Sequence, residues 1–301
     1  FKYMKKIVYL SGGIGGAKLA KGFYHSNDID LTIIINTGDD EVIHGVPLSP
    51  DIDSVMYALA GIEGEMGWGI ANDTFSVSEE YKKFIPQNFS IGDKDLALNL
   101  YRNQLLSEGK SLTEITKLFA EHLNLECNLI PMTDDIVSTK LKTDDGSLLD
   151  FQEYFVEQQA KPKLTEVVYN GSEKAKVSDQ LIKKIEESEI VVIGPSNPIL
   201  SIGPILSLNK LKEKLSEHNN VYVINPFIEN KAIKGPSKNN FEDLGYTSDI
   251  QGIKNFYKDV GNKYIVHPGD SDGAQDTVEH NILFNELENS IKLVEFIVNH
   301  E

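Results

Sequence analysis

The chain has 301 residues, and 29 Lys+Arg against 46 Asp+Glu leave it a net charge of −17. A surface this acidic repels polyanions, which excludes bulk nucleic acid and an anionic membrane as partners. Its apolar runs, such as Ile33–Ile35 and Ile190–Ile193, fall far short of the roughly 20 residues that span a bilayer.

Phe1–Lys6 runs straight into strand-like Ile7–Leu10, which does not read as a signal peptide, and the single Cys127 reads as a small buried residue in a reducing compartment, the cytoplasm. The Ile7–Leu10 strand ends in the turn Ser11-Gly12-Gly13-Ile14-Gly15-Gly16-Ala17-Lys18, after which Leu19 and Phe23 begin a helical stripe. Leu31–Ile35 is the next strand and stops at Asn36-Thr37-Gly38-Asp39-Asp40. This predicts a βαβ unit with polar loops at the carboxyl ends of its strands, where open parallel sheets bind ligands. Helical periodicity returns over Lys94–Ser107 and Leu112–His122, and Ile136–Lys142 and Leu148–Phe151 flank Asp144-Asp145-Gly146 as a hairpin. Past Lys161-Pro162-Lys163, helix Ser178–Glu187, strand Ile190–Gly194, helix Ile202–Glu217 and strand Val221–Asn225 resume the alternation. Leu287, Ile291, Val294 and Val298 predict a packing helix at the end. The expected fold class is α/β: a Rossmann-like, mostly parallel sheet flanked by helices. It forms one domain over 1–301, with an inserted α-rich and hairpin capping region over 66–165.

The glycines at 12, 13, 15 and 16 let the backbone approach a ligand closely, and the helix that follows offers unpaired N–H groups to an anion such as a phosphate. Neither familiar phosphate template fits. Lys18 lies between Ala17 and Leu19, unlike the lysine of a P-loop, and it stands where a dinucleotide turn has its third glycine. A tight turn without a ligand is the other reading of these residues. In the second loop Asn36, Thr37 and Gly38 lie beside the first, followed by His44-Gly45 and Ser49-Pro50-Asp51-Ile52-Asp53. Asp39, Asp40, Asp51 and Asp53 are too many carboxylates for an anion site unless a hard cation sits among them. Mg²⁺, which takes one or two carboxylates plus substrate oxygens, is the expected metal; turn and helix capping is the alternative role. The third loop, Gly194-Pro195-Ser196-Asn197-Pro198, offers Ser and Asn dipoles to a base or phosphate, or is a stiff connection in which Ser201 caps the next helix.

In this order and spacing these loops, together with Gly67-Trp68-Gly69, Gly92-Asp93-Lys94-Asp95, Pro131-Met132-Thr133-Asp134-Asp135 and Phe151-Gln152-Glu153-Tyr154, resemble the 2-phospho-L-lactate transferase family of coenzyme F-420 biosynthesis. The resemblance covers nearly the whole chain. It implies an enzyme that takes a guanosine diphosphate ester of 2-phospholactate, or of an enolpyruvyl or related three-carbon acid. The acid-bearing phosphate moves onto the terminal ribityl hydroxyl of the deazaflavin Fo, and GMP is released. On this reading Asp51 and Asp53 hold Mg²⁺ against the diphosphate. The turn of Ser11, Gly12, Gly13, Gly15 and Gly16, with Lys18, takes its other oxygens, and Asn36, Thr37 and Gly38 line the same site. Asp40 or His44 orients or deprotonates the Fo hydroxyl, and Gly194, Pro195, Ser196 and Asn197 surround guanosine. Trp68, the only tryptophan, is either a stacking wall for the deazaflavin or a structural residue. The family suggests a homodimer.

A non-catalytic regulator that binds nucleotide sugars on the same fold is the alternative. An NAD-dependent dehydrogenase, with Asp39 as its ribose carboxylate, lacks the third glycine. Two departures from the family pattern stand out. Lys94 replaces an arginine common in relatives, which keeps the charge and loses bidentate geometry, and Asn225–Lys231 replaces a small glycine-rich turn.

Overall fold

The computed structural model describes residues 3–85, 89–233 and 236–300. At its centre, among the described residues, seven strands form one sheet: β1 (Lys5–Ser11), β2 (Ile29–Ile35), β3 (Asn128–Pro131), β4 (Ile190–Ile193), β5 (Val221–Ile224), β6 (Lys263–Val266) and β7 (Thr277–Glu279). Every pairing is parallel, and the spatial order is 7-6-5-4-1-2-3. This is the doubly wound arrangement: the chain runs outward from β1 through β3, then returns to lay β4 on the other side of β1. The register aligns Ser11 with Ile35 and Leu10 with Ile193, so the three polar loops leave the sheet at one level.

Both faces of the sheet are buried, which is why its strands read as apolar runs rather than alternating ones. Ile7, Tyr9, Ile33, Ile35 and Val192 face one cluster, and Val8, Leu10, Ile34 and Ile193 face the other. The helices include α1 (Gly13–His25), α2 (Pro50–Ala60), α3 (Asp93–Ser107), α4 (Leu112–His122), α5 (Asp179–Glu187), α6 (Asn209–Glu217) and α7 (Leu287–Asn299), with shorter ones at Ser237–Asp243 and Ile250–Tyr257. Phe23, Ile52, Ile115 and Leu293 place α1, α2, α4 and α7 on the first cluster, and Leu181 and Leu211 place α5 and α6 on the second. Each such side chain contributes about 1.5–3 kcal/mol of burial. Local signals fix the helix ends. Pro50 opens α2 and Gly61, at φ 68°, closes it; a reciprocal Ser111–Glu114 box opens α4.

Between β2 and β4 lie a hairpin (Glu41–Ile43 and Val46–Leu48), the short helix Ser76–Tyr81, α3, α4, the edge strand β3 and a second, antiparallel sheet. The hairpin read from the sequence forms as Ser138–Thr143 with Leu148–Asp150, and Gly146 at φ 86° makes its turn. A third strand, Leu164–Asn170, joins it, and a π-helical turn, Glu153–Glu157, lies between. Four residues of β3 are too few to show a period; β2 beside them supplies the pairing.

The helix expected over Ile202–Glu217 is broken. A π-helical turn (Pro198–Ile202) and a short helix (Gly203–Leu206) precede α6, since Pro204 lacks the N–H that a continuous ladder needs. Ser201 does not cap this segment: Asn197 Oδ1 accepts from Ile199 N at 3.0 Å and Leu200 N at 3.1 Å. Burial pushes the Cys127 thiol up to about 12, so it is an inert packing residue. Among the described residues no helix is long and apolar enough to cross a membrane.

Candidate active site

The connections from β1 and β4 leave in opposite directions, which opens a crevice at their carboxyl ends. The glycine turn and the 194–197 loop meet there. Gly12 N–H donates to Ser196 Oγ at 3.2 Å, and the Ser196 hydroxyl donates back to Gly12 O at 2.6 Å. Gly13 has φ 62°, and a Cβ on Gly12 would lie 2.6 Å from Ser201 Cβ and 2.7 Å from Asp51 Oδ2. Close approach of the backbone to both neighbours therefore requires glycine here.

Asp51 comes from the first turn of α2, and a hydrogen bond from the Gly13 amide holds its carboxylate at the mouth of the glycine turn. Asn36, at the end of β2, uses one Nδ2 to reach Asp51 Oδ2 at 2.9 Å and Asp39 Oδ1 at 3.3 Å, while its Oδ1 accepts from Gly38 N at 2.8 Å. Asp39 and Asp51 are buried, and among the described residues no lysine or arginine is against them. Burial, then the charges of Asp51 and Asp40, push the Asp39 carboxyl well up, and burial pushes Asp51 up to about 6. Burial also raises Asp40, whose Oδ2 accepts from Ser49 Oγ at 2.6 Å; its Oδ1 and the Thr37 hydroxyl have no partner among the described residues. A cluster of desolvated carboxylates with an unpartnered oxygen is short of positive charge.

Among the described residues no three acidic, histidine or cysteine side chains converge on one point that a metal could take. The donor set fits a cation that two carboxylates share with substrate oxygens. Asp53 is engaged differently. The chain's only arginine, Arg102, is 1 % exposed and forks onto it, with Nη1 3.1 Å from Oδ2 and Nη2 on Oδ1. On the same face of α3, Asn99 touches Arg102 and Asp95, and Asp95 Oδ1 accepts from the Tyr57 hydroxyl at 2.7 Å. Burial and then the Asp53 charge push Asp95 up to about 6.

Asp39, Asp53 and Asp95 line a cavity of about 460 Å³. Asp73 joins them, and Trp68, Phe75, Phe89, Phe151 and Phe155 add aromatic walls. Phe151 and Phe155 stack with centroids 5.4 Å apart at 8°, and Trp68 stands edge-on to Phe155 at 6.5 Å, 46 % exposed. A cavity lined by both aromatic rings and carboxylates suits a flat aromatic ring that carries polar groups.

The family described as 2-phospho-L-lactate transferase CofD matches residues 7–276. A 2-phospho-L-lactate transferase of Methanocaldococcus jannaschii is 36 % identical over 302 residues, 97 % of each chain. One of Methanococcus vannielii is 38 % identical over 271 residues, 88 % of this chain and 86 % of that one. The chain belongs to the 2-phospho-L-lactate transferase family. A crystal structure of a UPF0052-family protein from Bacillus halodurans superposes with a TM-score of 0.66 at 16 % identity, covering 98 % of this chain and 99 % of that one, which is a likeness of fold. Family membership makes the chain a transferase of the phospholactyl type.

The transferase fold brings Ser11, Gly12, Gly13, Gly16, Asn36, Asp39, Asp51, Ser196 and Ser201 together around the crevice. Gly15 packs on Pro195 O, and Gly194 lies under the Tyr9 ring. Lys18 sits elsewhere: it is exposed on the outer side of α1, in a separate groove with Lys21, Met66 and Gly67. His44, at φ 55°, is the exposed tip of the Glu41–Leu48 hairpin, its ring 4.8 Å from Tyr81. Lys94 caps rather than reaches the cavity, its Nζ on Asn72 O at 3.1 Å. Where the glycine-rich turn of relatives is replaced, Phe227–Ile228 and Lys231–Ala232 form a small hairpin, with Glu229 and Asn230 at positive φ in its turn. Arg102, Tyr57, Phe75, Phe89 and Phe155 are not among the residues expected from the sequence, and Asp95 and Phe151, named there only within family motifs or a hairpin strand, take a place in the site. A usable signal was present: the sole arginine follows Asp95 and Asn99 at helical spacing, in a chain otherwise supplied with lysine.

Proposed function

We propose that this transferase moves a 2-phospholactyl, or phosphoenolpyruvyl-type, group from a guanosine diphosphate ester to the terminal ribityl hydroxyl of Fo. The observation that carries the reading is a cavity lined both by an aromatic cage and by the carboxylates of Asp39, Asp53 and Asp95, with Asp39 tied through Asn36 to Asp51 at the glycine turn. The deazaflavin ring lies against the wall made by Trp68 and the Phe151–Phe155 stack. Its ribityl chain passes Asp95 and Asp53, so the terminal hydroxyl arrives at Asp39 and Asp40. The Ser11–Gly16 turn faces the diphosphate, Asn36, Thr37 and Gly38 line its side, and Gly194–Asn197 face guanosine. The hydroxyl oxygen attacks the phosphorus that carries the acid, its proton passes to Asp40 Oδ1, and the bond to GMP breaks, with the electron pair leaving on GMP.

Asp51 and Asp39 are the residues that would hold Mg²⁺. When bound, Mg²⁺ neutralises the diphosphate and the departing phosphate, as hard cations do in phosphoryl transfer. Asp53, expected to share that role, has both oxygens on Arg102 and serves instead as a fixed charge behind Asp40. His44 stands apart from the cavity lining, so the proton acceptor is placed on Asp40. The reading takes 1–301 as one α/β domain with 66–165 as its cap, acting as a cytoplasmic homodimer.

The test is incubation of the full chain with Mg²⁺, Fo and the guanosine diphosphate esters of lactate and enolpyruvate, with mass detection of the phosphodiester and GMP. Fo-dependent GMP release supports the reading. Tight binding of a UDP-sugar with no such release selects the non-catalytic regulator.

A further inference from the structure

A buried chain of hydrogen bonds joins the 194–197 loop to the aromatic wall, 43 and then 86 residues apart along the sequence. Asn197 Nδ2 donates to Asn240 Oδ1 at 3.0 Å, Asn240 Nδ2 donates to the Tyr154 hydroxyl at 2.8 Å, and that hydroxyl donates to Ala160 O at 3.3 Å. Asn240 and Tyr154 are 0 % exposed. Every link has one polarity only. Asn197 Oδ1 is fixed by the amides of Ile199 and Leu200, which turns its Nδ2 toward Asn240, and so each following donor is set in turn.

Tyr154 sits in the π-helical turn Glu153–Glu157, whose next residue, Phe155, stacks on Phe151 and meets Trp68. Phe151, Gln152, Phe155 and Val156 line the cavity while Tyr154 points away from it into the core. The other end of the chain, Asn197, holds a second π-helical turn, Pro198–Ile202, against the crevice. Two uncommon π-turns are thus tied through one buried amide. Single π-turns recur at functional sites, and neither Asn240 nor Tyr154 has a place in the chemistry above.

We propose that Asn240 and Tyr154 are positioning residues that couple the nucleotide loop to the deazaflavin wall, so that filling one subsite orders the other. This rests on the reading that guanosine lies at Gly194–Asn197 and Fo at the aromatic cage. Trp68, the only tryptophan, reports on the wall directly through its contact with Phe155.

The experiment uses the full chain with GDP and Fo as probes. It measures GDP binding by calorimetry, the Trp68 emission with and without GDP, and Fo affinity with and without GDP. In the wild type GDP shifts the Trp68 emission and tightens Fo binding by about tenfold, a coupling of ordinary size. Tyr154→Phe removes the acceptor for Asn240. Asn240→Leu removes both links but leaves Tyr154 donating to Ala160 O and half-exposed Asn197 reaching water, so it keeps the proposal testable should the first variant fail to fold. Each folded variant is expected to bind GDP within about twofold of wild type while losing the emission shift and the dependence of Fo affinity on GDP. A folded variant with both effects intact overturns the relay, as does a wild type that binds GDP without either effect. A wild type that does not bind GDP defeats the nucleotide reading itself and the relay with it.

Discussion

Arg102→Met tests how the acidic lining of the cavity is held together. The Arg102 fork meets both oxygens of Asp53, which is 6 % exposed, and its guanidinium lies 5.6 Å from the Phe119 ring centroid. Removing it leaves a buried carboxylate without a countercharge. Breaking a buried pair from one side costs about 3–5 kcal/mol, a large share of the roughly 5–15 kcal/mol that holds a domain folded. Burial already raises the Asp53 carboxyl with Arg102 in place, and without Arg102 the folded carboxyl grips a proton more tightly still. A group with a raised folded pKa stabilises fully below its unfolded pKa of about 4, and that contribution is lost as pH rises through the folded value. The penalty therefore grows between pH 5 and pH 8. The assay is urea unfolding of wild type, Arg102→Met and the double variant Asp53→Asn with Arg102→Met at both pH values. Arg102→Met is expected to lose about 3 kcal/mol or more at pH 8 and less at pH 5. The double variant, with no charge left to bury, recovers at least about 1 kcal/mol and shows a smaller pH dependence. A loss below about 1 kcal/mol, equal at the two pH values and unrelieved in the double variant, would refute the argument that Arg102 neutralises Asp53.

Asp51→Asn is expected to lower Mg²⁺-dependent turnover by about two to three orders of magnitude, the scale of losing a metal ligand or electrostatic group, with no fall in Tm because a buried charge has been removed; normal turnover by the folded variant would reject the assignment. Asp51 and Asp95 are both pushed up to about 6 by burial, so without metal the protein is expected to lose stability from pH 5 to pH 7, by about 1 kcal/mol per group. Thermal melts read this directly: Asp51→Asn flattens the profile, added Mg²⁺ restores stability at pH 7, and a profile indifferent to both would count against a metal at Asp51. Trp68→Ala is expected to raise the KM for Fo about tenfold while GDP affinity stays the same, on the scale of one lost aromatic stacking contact. Equal losses for both substrates would instead make Trp68 a structural residue.

Sequence by itself determined β1, α1, β2, α4, α5 and α7, because a period and a stop signal lie within each segment: the apolar run into Gly12, the Ser111–Glu114 box, Ser178 ahead of Leu181. It also brought the three polar loops to one edge, since parallel strands joined by helices put successive carboxyl ends on the same side. Tertiary structure alone decided what those loops touch. Lys18 follows the glycines in sequence, yet helical rotation carries it to the outer face of α1, and the side-chain amide of Asn197, in the loop proposed to face guanosine, is held by a π-turn and by Asn240. Asp53 finds Arg102 49 residues away, and the cage gathers Trp68, Phe75, Phe89, Phe151 and Phe155 from separate segments. Periods and caps are written over a few neighbouring residues. The partner of a buried charge, or the wall facing a ring, depends on which helices pack across the sheet edge, and that is settled only when the core closes.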